Sequence, residues 1–167
     1  MPTSSLAMWP AILHLAWEVK PHRILDIGPG HGKASVLLRE YVGSPPIERI
    51  DAVEGWEPYI ADFDLDALYD AVWSQDAATL TQDQLTPYDL VLMCDVIEHM
   101  GREDALALLA RIHGRVIVCT PVDFFDNPEG LPWTETHRSV WQVSDFDGRI
   151  EVDASQLGGV LVRLGPQ

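Results

Sequence analysis

The chain has 167 residues, of which 26 are acidic and 11 are basic, and its formal net charge is −15. Non-specific affinity for nucleic acid requires Lys and Arg side chains that displace counterions, so this charge disfavours DNA or RNA as a partner. The length and the 47% share of hydrophobic residues suit one domain with a substantial core, which we expect to span residues 1–167.

The N-terminal segment and the cysteines indicate a protein of the reduced cytoplasm. Residues 4–23 lack the basic start of a signal peptide and are interrupted by Pro10 and His14, so they are predicted to form an amphipathic helix that covers a sheet. No apolar run approaches the length of a membrane span, so no membrane partner is expected. Cys94 and Cys119 lie inside predicted strands and are interpreted as buried apolar residues rather than as a disulfide.

Strands and helices alternate along the first 122 residues. Short apolar segments predict strands at 23–27, 47–55, 71–77, 88–96 and 115–122. Helices are predicted between them, at 33–41, within 56–70, at 81–85 and at 103–112. This alternation implies parallel strands joined by right-handed crossovers.

The last 45 residues follow a different pattern. A long loop rich in Pro, Asn and Glu begins at Asp123 and leads to a short helix predicted around 138–146. Two strands are predicted around Gly158 and Gly159, where the glycine pair favours a hairpin. We therefore predict an α/β fold: a doubly wound, mostly parallel seven-stranded sheet with an antiparallel terminal hairpin and helices on both faces.

A glycine-rich turn follows the first strand, in the sequence "ILDIGPGHGK". Gly28, Gly30 and Gly32 occupy alternate positions, which lets the backbone bend sharply and lets a ligand approach it closely. The dinucleotide fingerprint G-x-G-x-x-G is not matched, because Lys33 stands at its third glycine position. Glu54 ends the second strand, and a carboxylate there can accept two hydrogen bonds from a ribose diol. The context predicts a nucleoside cofactor at the carboxyl ends of the strands.

Five segments together resemble one family. "ILDIGPGHG" resembles motif I of the class I, Rossmann-like S-adenosylmethionine-dependent methyltransferases, and "IDAVEG" resembles their acidic second-strand motif. "SQDA" is similar to the acidic motif after their third strand, and "RVIVCTP" to their fifth strand. "YDLVLMCDVIEHM" resembles the fourth-strand signature of their small-molecule branch. The resemblance covers roughly residues 12–125, with the motifs in the correct order.

The resemblance implies cofactor contacts from the first two strands. Asp26 would hold the glycine turn and lie near the amino-acid part or the sulfonium of S-adenosylmethionine. Gly28, Gly30 and Gly32 would pass against the ribose and the methionine part, and Glu54 would bind the ribose hydroxyls. A purely structural alternative remains for Asp26, which could cap the following turn.

The resemblance also implies contacts with the adenine and with the ammonium group. Trp56 could stack on the adenine, and Asp76 with Ala77 could bind its edge. The backbone carbonyl of Cys94, with Asp95 beside it, would face the cofactor's ammonium group. Trp56 could equally be a core aromatic residue, and Asp76 could be an acid that caps a short helix.

Histidines supply the candidates for catalysis. His99, directly after the fourth strand, is the best placed base for an acceptor hydroxyl or amine, although it could instead only pack at a helix start. Glu98 beside it could orient His99 or start the helix. His31 is interpreted as structural or adjacent to the cofactor. His137 lies in the segment after the fifth strand that lines the acceptor pocket in many relatives, and it is a weaker catalytic candidate.

Two further interpretations concern the same region. Aromatic residues could wall an acceptor pocket or merely anchor a loop over the sheet edge: Phe124, Phe125, Trp133 and Trp141. Glu98, His99 and His137 could converge on a metal ion, as carboxylate and histidine do in some relatives. Three ligands from two segments make a weak case, so no metal is assigned.

The resemblance implies methyl transfer from S-adenosylmethionine to an oxygen or nitrogen of a small molecule by in-line displacement, with S-adenosylhomocysteine as product. The chain lacks an "NPPY"-type sequence after the fourth strand, which relatives that methylate amides or base amines often carry. A non-catalytic module that binds S-adenosylmethionine or S-adenosylhomocysteine is the alternative. A nicotinamide-dependent oxidoreductase is disfavoured by Lys33. The protein is expected to be a monomer or homodimer.

Overall fold

The computed structural model describes residues 5–43, 46–122, 132–146, 148–155 and 159–166. The helices are α1 (Trp9–Val19), α2 (Lys33–Tyr41), α3 (Pro58–Asp62), α4 (Leu65–Leu68), α5 (Gln82–Leu85) and α6 (Arg102–Arg111). The strands are β1 (Arg23–Ile27), β2 (Arg49–Glu54), β3 (Ala71–Ser74), β4 (Leu90–Cys94), β5 (Arg115–Pro121), β6 (Ile150–Asp153) and β7 (Gly159–Leu164). Within these ranges, no helix has the length and apolar character needed to cross a membrane.

The strands form one sheet in the order β3-β2-β1-β4-β5-β7-β6. The first five strands run parallel, whereas β7 pairs antiparallel with both β5 and β6. This confirms the predicted mostly parallel seven-stranded sheet with an antiparallel terminal hairpin. The chain moves outward from β1 to β3 and then returns to place β4 on the other side of β1. That reversal creates a crevice beyond the carboxyl ends of β1 and β4.

Both faces of the sheet are covered by helices, as predicted. On one face Leu25 and Ile27 of β1 pack in a cluster with Leu108 of α6. On the other face Ile24 packs in a cluster with Ile12 of α1 and Leu38 of α2. Alternate residues of a strand point to opposite faces, so the continuous apolar run of β1 reflects burial on both sides.

Two predicted elements differ from the structure. The third strand was predicted to reach residue 77, but β3 ends at Ser74, and Asp76 caps the next turn by accepting a hydrogen bond from Ala78 N at 2.9 Å. The helix predicted around 138–146 is wrong in its first half, since only Val143–Phe146 forms a 3₁₀ turn. Residues 137–142 are not helical, and Arg138 N and Ser139 N donate to Glu98 O at 2.7 and 3.0 Å.

Cys94 and Cys119 occupy paired positions in β4 and β5 and are not joined by a disulfide. Both are buried, and burial raises the pKa of each thiol. These thiols stay protonated at neutral pH. Their side chains fill apolar space, as the sequence indicates.

Candidate cofactor and acceptor site

A cavity opens at the carboxyl ends of β1, β2 and β4, beside the point where strand order reverses. Its volume is about 950 Å³ when the space open to solvent is included. Nine residues singled out in the sequence line it: Asp26, Gly28, Gly30, Glu54, Asp76, Ala77, Cys94, Asp95 and His99. Gly32, Trp56 and His137 are not among its described lining residues. Most of the predicted residues therefore meet around one space, although they are spread over more than 70 positions of the chain.

The glycines of the turn lie in two different surroundings: Gly28 and Gly30 line the cavity, and Gly32 packs against α4. Gly28, Gly30 and Gly32 have φ values of +69°, +52° and +72°, a region that side chains disfavour. A Cβ at Gly28 would lie 2.6 Å from Val96 Cγ2. A Cβ at Gly32 would overlap Leu68 Cδ1, so this glycine allows the turn to pack against α4. The structure thus places Gly32 in packing contacts rather than at the cavity.

The Asp26 carboxyl lines the cavity and is buried. Burial raises its pKa to about 7, the charge of Glu54 adds to that rise, and the hydrogen bond from Tyr69 opposes it. Tyr69 Oη donates to Asp26 Oδ2 at 2.6 Å, so the carboxyl is held by a core tyrosine rather than by capping the turn. A cation bound nearby would favour the ionised form of this group.

Substitution Asp26→Asn is expected to flatten the pH dependence of stability. The folded-state pKa of Asp26 is raised from 3.8 to about 7, so its stabilising contribution is complete below the unfolded pKa and is lost as pH rises through 7. Over two pH units such a group changes stability by roughly 2 kcal/mol, and the amide removes that change. Urea unfolding at several pH values between about 5 and 8 measures it. The exposed-acid variant Asp66→Asn should behave as wild type, and an unchanged pH profile in Asp26→Asn would contradict the assignment.

Glu54 ends β2 with its carboxylate buried beside the cavity. Its Oε1 accepts a hydrogen bond from Trp56 N at 2.7 Å, and burial raises its pKa. The Trp56 side chain does not reach the cavity in the described structure. Tyr59 of α3 lines it instead, with its ring centroid 4.8 Å from that of Phe63. Tyr59 was not predicted from the sequence, although Pro58 at the start of α3 is a signal that a helix begins there.

Asp76 and Ala77 line the cavity next to Gln75. Asp76 also caps the 3₁₀ turn Ala77–Thr79 through Oδ1, so the capping alternative is observed together with a position at the cavity. One carboxylate oxygen can cap the turn while the other faces a ligand. Position and capping are therefore compatible at this residue.

Asp95 follows β4 in a constrained conformation. Its φ is +55°, uncommon for a residue other than glycine, and its N–H donates to Cys119 O at 2.7 Å. Lys33 and Asp95 both line the cavity, so an ammonium and a carboxylate face the same space. Burial lowers the pKa of Lys33, and the negative charge of Asp95 opposes that effect. Trp9 of α1 also lines the cavity, and its buried Nε1 has no hydrogen-bond partner.

Lys33 and Trp9 were missed as site residues in the sequence analysis. Lys33 Nζ lies 5.4 Å from the centroid of the Trp9 ring. The position of Lys33 at the start of α2, directly after the glycine turn, was a usable signal. Nothing in the local sequence of Trp9 distinguishes it from the other apolar residues of α1, because its place at the cavity depends on how α1 crosses the sheet.

His99 and His137 come together although 38 positions separate them. Their ring centroids are 4.8 Å apart with the planes at 86°, and His99 lines the cavity. Burial lowers the pKa of both imidazoles, and His137 lowers that of His99 further. Glu98 lies buried beside them, with Oε2 accepting from Thr120 Oγ1 at 2.9 Å. Glu98 Oε1 and His99 Nδ1 are buried without hydrogen-bond partners.

Of the four aromatic residues predicted to form a wall, Trp141 is described with its side chain. Trp141 is fully buried and stacks on Phe146 at 5.5 Å, so it belongs to the core instead of an open pocket wall. Phe124 and Phe125 lie outside the described residues, and so does the side chain of Trp133. His31 packs against Phe63 at 4.1 Å between centroids and is not among the residues that line the cavity.

Known structures share this architecture. An O-methyltransferase family protein from Burkholderia thailandensis is 13% identical and has a TM-score of 0.60, and the match covers 96% of this chain and 56% of that one. The N-terminal domain of EvdMO1 with SAH bound is 16% identical with a TM-score of 0.65, over 94% of this chain and 80% of that one. The S-adenosylmethionine-dependent methyltransferase SibL, in its apo form, is 21% identical with a TM-score of 0.60, over 95% and 54%.

The chain has the Rossmann-like fold of the class I S-adenosylmethionine-dependent methyltransferases. It spans about half the length of the Burkholderia protein and of SibL. No protein-family model and no curated protein matches the sequence.

Proposed function

We propose that this protein transfers a methyl group from S-adenosylmethionine to an oxygen or nitrogen of a small molecule. The observation that carries the proposal is the cavity at the strand-order reversal, where the glycine turn, two buried acids and His99 meet. The fold restricts where a ligand binds, whereas the side chains at that place decide which ligand fits.

The cavity residues match the chemical groups of this cofactor. Glu54 provides carboxylate oxygens for the two ribose hydroxyls, and Asp26 and Asp95 suit the positive charges of the sulfonium and ammonium groups. Lys33 and the unpartnered Nε1 of Trp9 suit the carboxylate of the methionine part. An acidic site that also offers one ammonium group fits a zwitterionic, sulfonium-bearing nucleoside better than a polyphosphate.

The bound cofactor supplies a methyl group that is already activated by the positive sulfur. The task of the chain is to hold the acceptor in line with the sulfur–methyl bond and to exclude water, since orientation supplies much of the acceleration. The acceptor's lone pair forms the new bond to carbon while the sulfur–carbon pair returns to sulfur. For a hydroxyl acceptor, the proton leaves to His99, which lines the cavity next to the end of β4.

The acceptor class is proposed from the residues around His99. This end of the cavity carries imidazole, carboxylate and backbone groups, which suit an acceptor with several hydroxyl or amine groups. The N-terminal domain of EvdMO1 was crystallised in the presence of SAH and D-fucose. That finding makes sugars and other polyhydroxylated compounds the first group to test with this chain.

Titration calorimetry with S-adenosylmethionine, S-adenosylhomocysteine and NADH tests the cofactor assignment. We expect saturable one-to-one binding of the two sulfur nucleosides and none of NADH. The bound protein is then screened for formation of S-adenosylhomocysteine with panels of hydroxyl and amine acceptors. Failure of both sulfur nucleosides to bind would overturn the proposed function.

Substitution Glu54→Ala is expected to weaken S-adenosylmethionine binding by about 1–3 kcal/mol, or roughly 5- to 150-fold, because hydrogen bonds to a charged carboxylate are lost. The matched control is Glu57→Ala, which removes an exposed carboxylate three positions along that is not among the described lining residues. Calorimetry measures both. Equal affinities for the two variants would remove Glu54 from the site.

A non-catalytic module that binds the same nucleosides is the alternative function. Such a module would bind the nucleoside in the same cavity, but it would bind no methyl acceptor beside His99. Tight binding of S-adenosylhomocysteine with no turnover across the acceptor panels would favour this alternative.

A further inference from the structure

We infer that Glu98, His99 and His137 bind a divalent transition-metal ion at the acceptor end of the cavity. The binding of the ion does not depend on the proposed function, but its use in methyl transfer rests on it. Each of the three side chains offers one ligand atom, and these atoms lie within 4.8 Å of one another.

Two polar atoms of this cluster are buried without hydrogen-bond partners. Glu98 is 2% exposed, and its Oε1 has no hydrogen bond while Oε2 is held by Thr120. His99 Nδ1 is equally without a partner. Buried polar atoms are nearly always paired, and leaving a carboxylate oxygen unpaired costs free energy. A proton on Glu98 would neutralise its charge but would leave Nδ1 unpaired, whereas one cation satisfies both atoms.

The donor set indicates the type of ion. Two imidazoles and one carboxylate favour zinc, iron, cobalt or nickel over magnesium or calcium, which prefer oxygen ligands. Ligand bonds of about 2.0–2.2 Å require the three atoms to approach to roughly 3–3.6 Å, so a modest rotation of the side chains completes the site. Three protein ligands leave a coordination position open to a further ligand.

Backbone contacts fix the two histidines beside each other. Ser139 Oγ donates to Ile97 O at 3.0 Å and Trp141 Nε1 donates to the same oxygen at 3.2 Å. These bonds add to those of Arg138 N and Ser139 N with Glu98 O, and together they hold the segment after β5 against the turn that carries Glu98 and His99.

The surrounding charge also favours a cation. Asp95 and Glu135 line the same cavity as His99. Negative charge at this end of the cavity lowers the energy of a bound divalent ion. With His99 bound to the ion, solvent would take the proton in place of His99: an acceptor hydroxyl at the open position would lose its proton to water more readily, and its oxygen would then attack the methyl carbon.

The test is titration of chelator-treated protein with Co²⁺, followed by calorimetry and by visible absorption of the bound ion. We expect one ion per chain, with affinity reduced at least tenfold in His137→Gln and in Glu98→Gln. His113→Gln is the matched control, since His113 is an exposed histidine that pairs with Gln82. Melting temperatures of the metal-free variants distinguish loss of binding from loss of folding. His137 is only partly buried, so His137→Gln is expected to disturb the fold less than Glu98→Gln.

The outcomes separate this inference from the proposed function. Equal Co²⁺ affinity in wild type and His137→Gln, or no Co²⁺ binding to wild type, would overturn the metal site. S-adenosylhomocysteine binding is measured on the same metal-free protein. Nucleoside binding without metal binding leaves the proposed function intact, whereas metal binding without nucleoside binding overturns that function and leaves the metal site in place.

Discussion

Substitution Gly30→Val is expected to abolish binding of S-adenosylmethionine, with affinity falling by at least about 100-fold, or ~2.7 kcal/mol. Gly30 lines the cavity and has a φ of +52°. A β-branched side chain is strained in this backbone region, and its added atoms occupy space beside the nucleoside. Calorimetry of the folded variant measures the loss.

Gly148→Val provides the matched control for backbone strain. Gly148 has a φ of +91°, and a Cβ there meets nothing within 4 Å. Both variants should lose stability, since left-handed backbone costs an L-residue roughly 1–2 kcal/mol. Only Gly30→Val should lose the ligand. Unchanged affinity in Gly30→Val would place the cofactor outside the glycine turn and overturn the site assignment.

Substitution His99→Ala is expected to lower turnover by about 10²- to 10⁴-fold while leaving S-adenosylmethionine affinity within about twofold of wild type. His99 lines the cavity beyond the end of β4, and its ring centroid lies 4.8 Å from that of His137. The substitution removes either the base that takes the proton or a metal ligand, and both roles concern the methyl acceptor and not the binding of S-adenosylmethionine. Rates are measured as formation of S-adenosylhomocysteine with an acceptor found in the screen.

The control for His99→Ala is His113→Ala, which changes an exposed histidine that is not among the described lining residues of the cavity. An unaffected rate in His99→Ala would return this histidine to a packing role. Co²⁺ distinguishes the two modes of action in wild type: a stimulated rate after chelator treatment indicates a metal ligand, and an unchanged rate indicates a base.

Much of the fold could be predicted because its signals are local. The apolar runs of β1 and β4 and the glycine turn between β1 and α2 define the alternating pattern without reference to distant residues. Element ends were less predictable, because they depend on contacts with other segments. The region 138–146 shows this, since Arg138 N and Ser139 N donate to Glu98 O, about 40 positions earlier in the chain.

The residues of the candidate site also fall into those predictable from local sequence and those that depend on contacts with other segments. Asp26, Gly30 and Glu54 were identifiable because each stands at a fixed place relative to the end of its strand, and parallel strands bring those ends to one edge. Trp56 was predicted at the site, but Tyr59 lines the cavity in its place. The sequence does not predict this exchange, because the direction of a side chain after β2 depends on how α3 packs. Gly32 illustrates a further limit: a motif glycine can serve a ligand or a neighbouring helix, and only the position of Leu68 shows which.

The sequence by itself determined the order of strands and helices, the place of the glycine turn and the acids that end β2 and follow β4, since these depend on local apolar periodicity and backbone freedom. Only the tertiary structure decided which polar atoms are buried without partners and which distant residues meet. The contact of His137 with His99 and the burial of Glu98 Oε1 arise from the docking of the segment after β5 onto the turn after β4. Such contacts depend on long-range packing, which no local pattern of residues encodes.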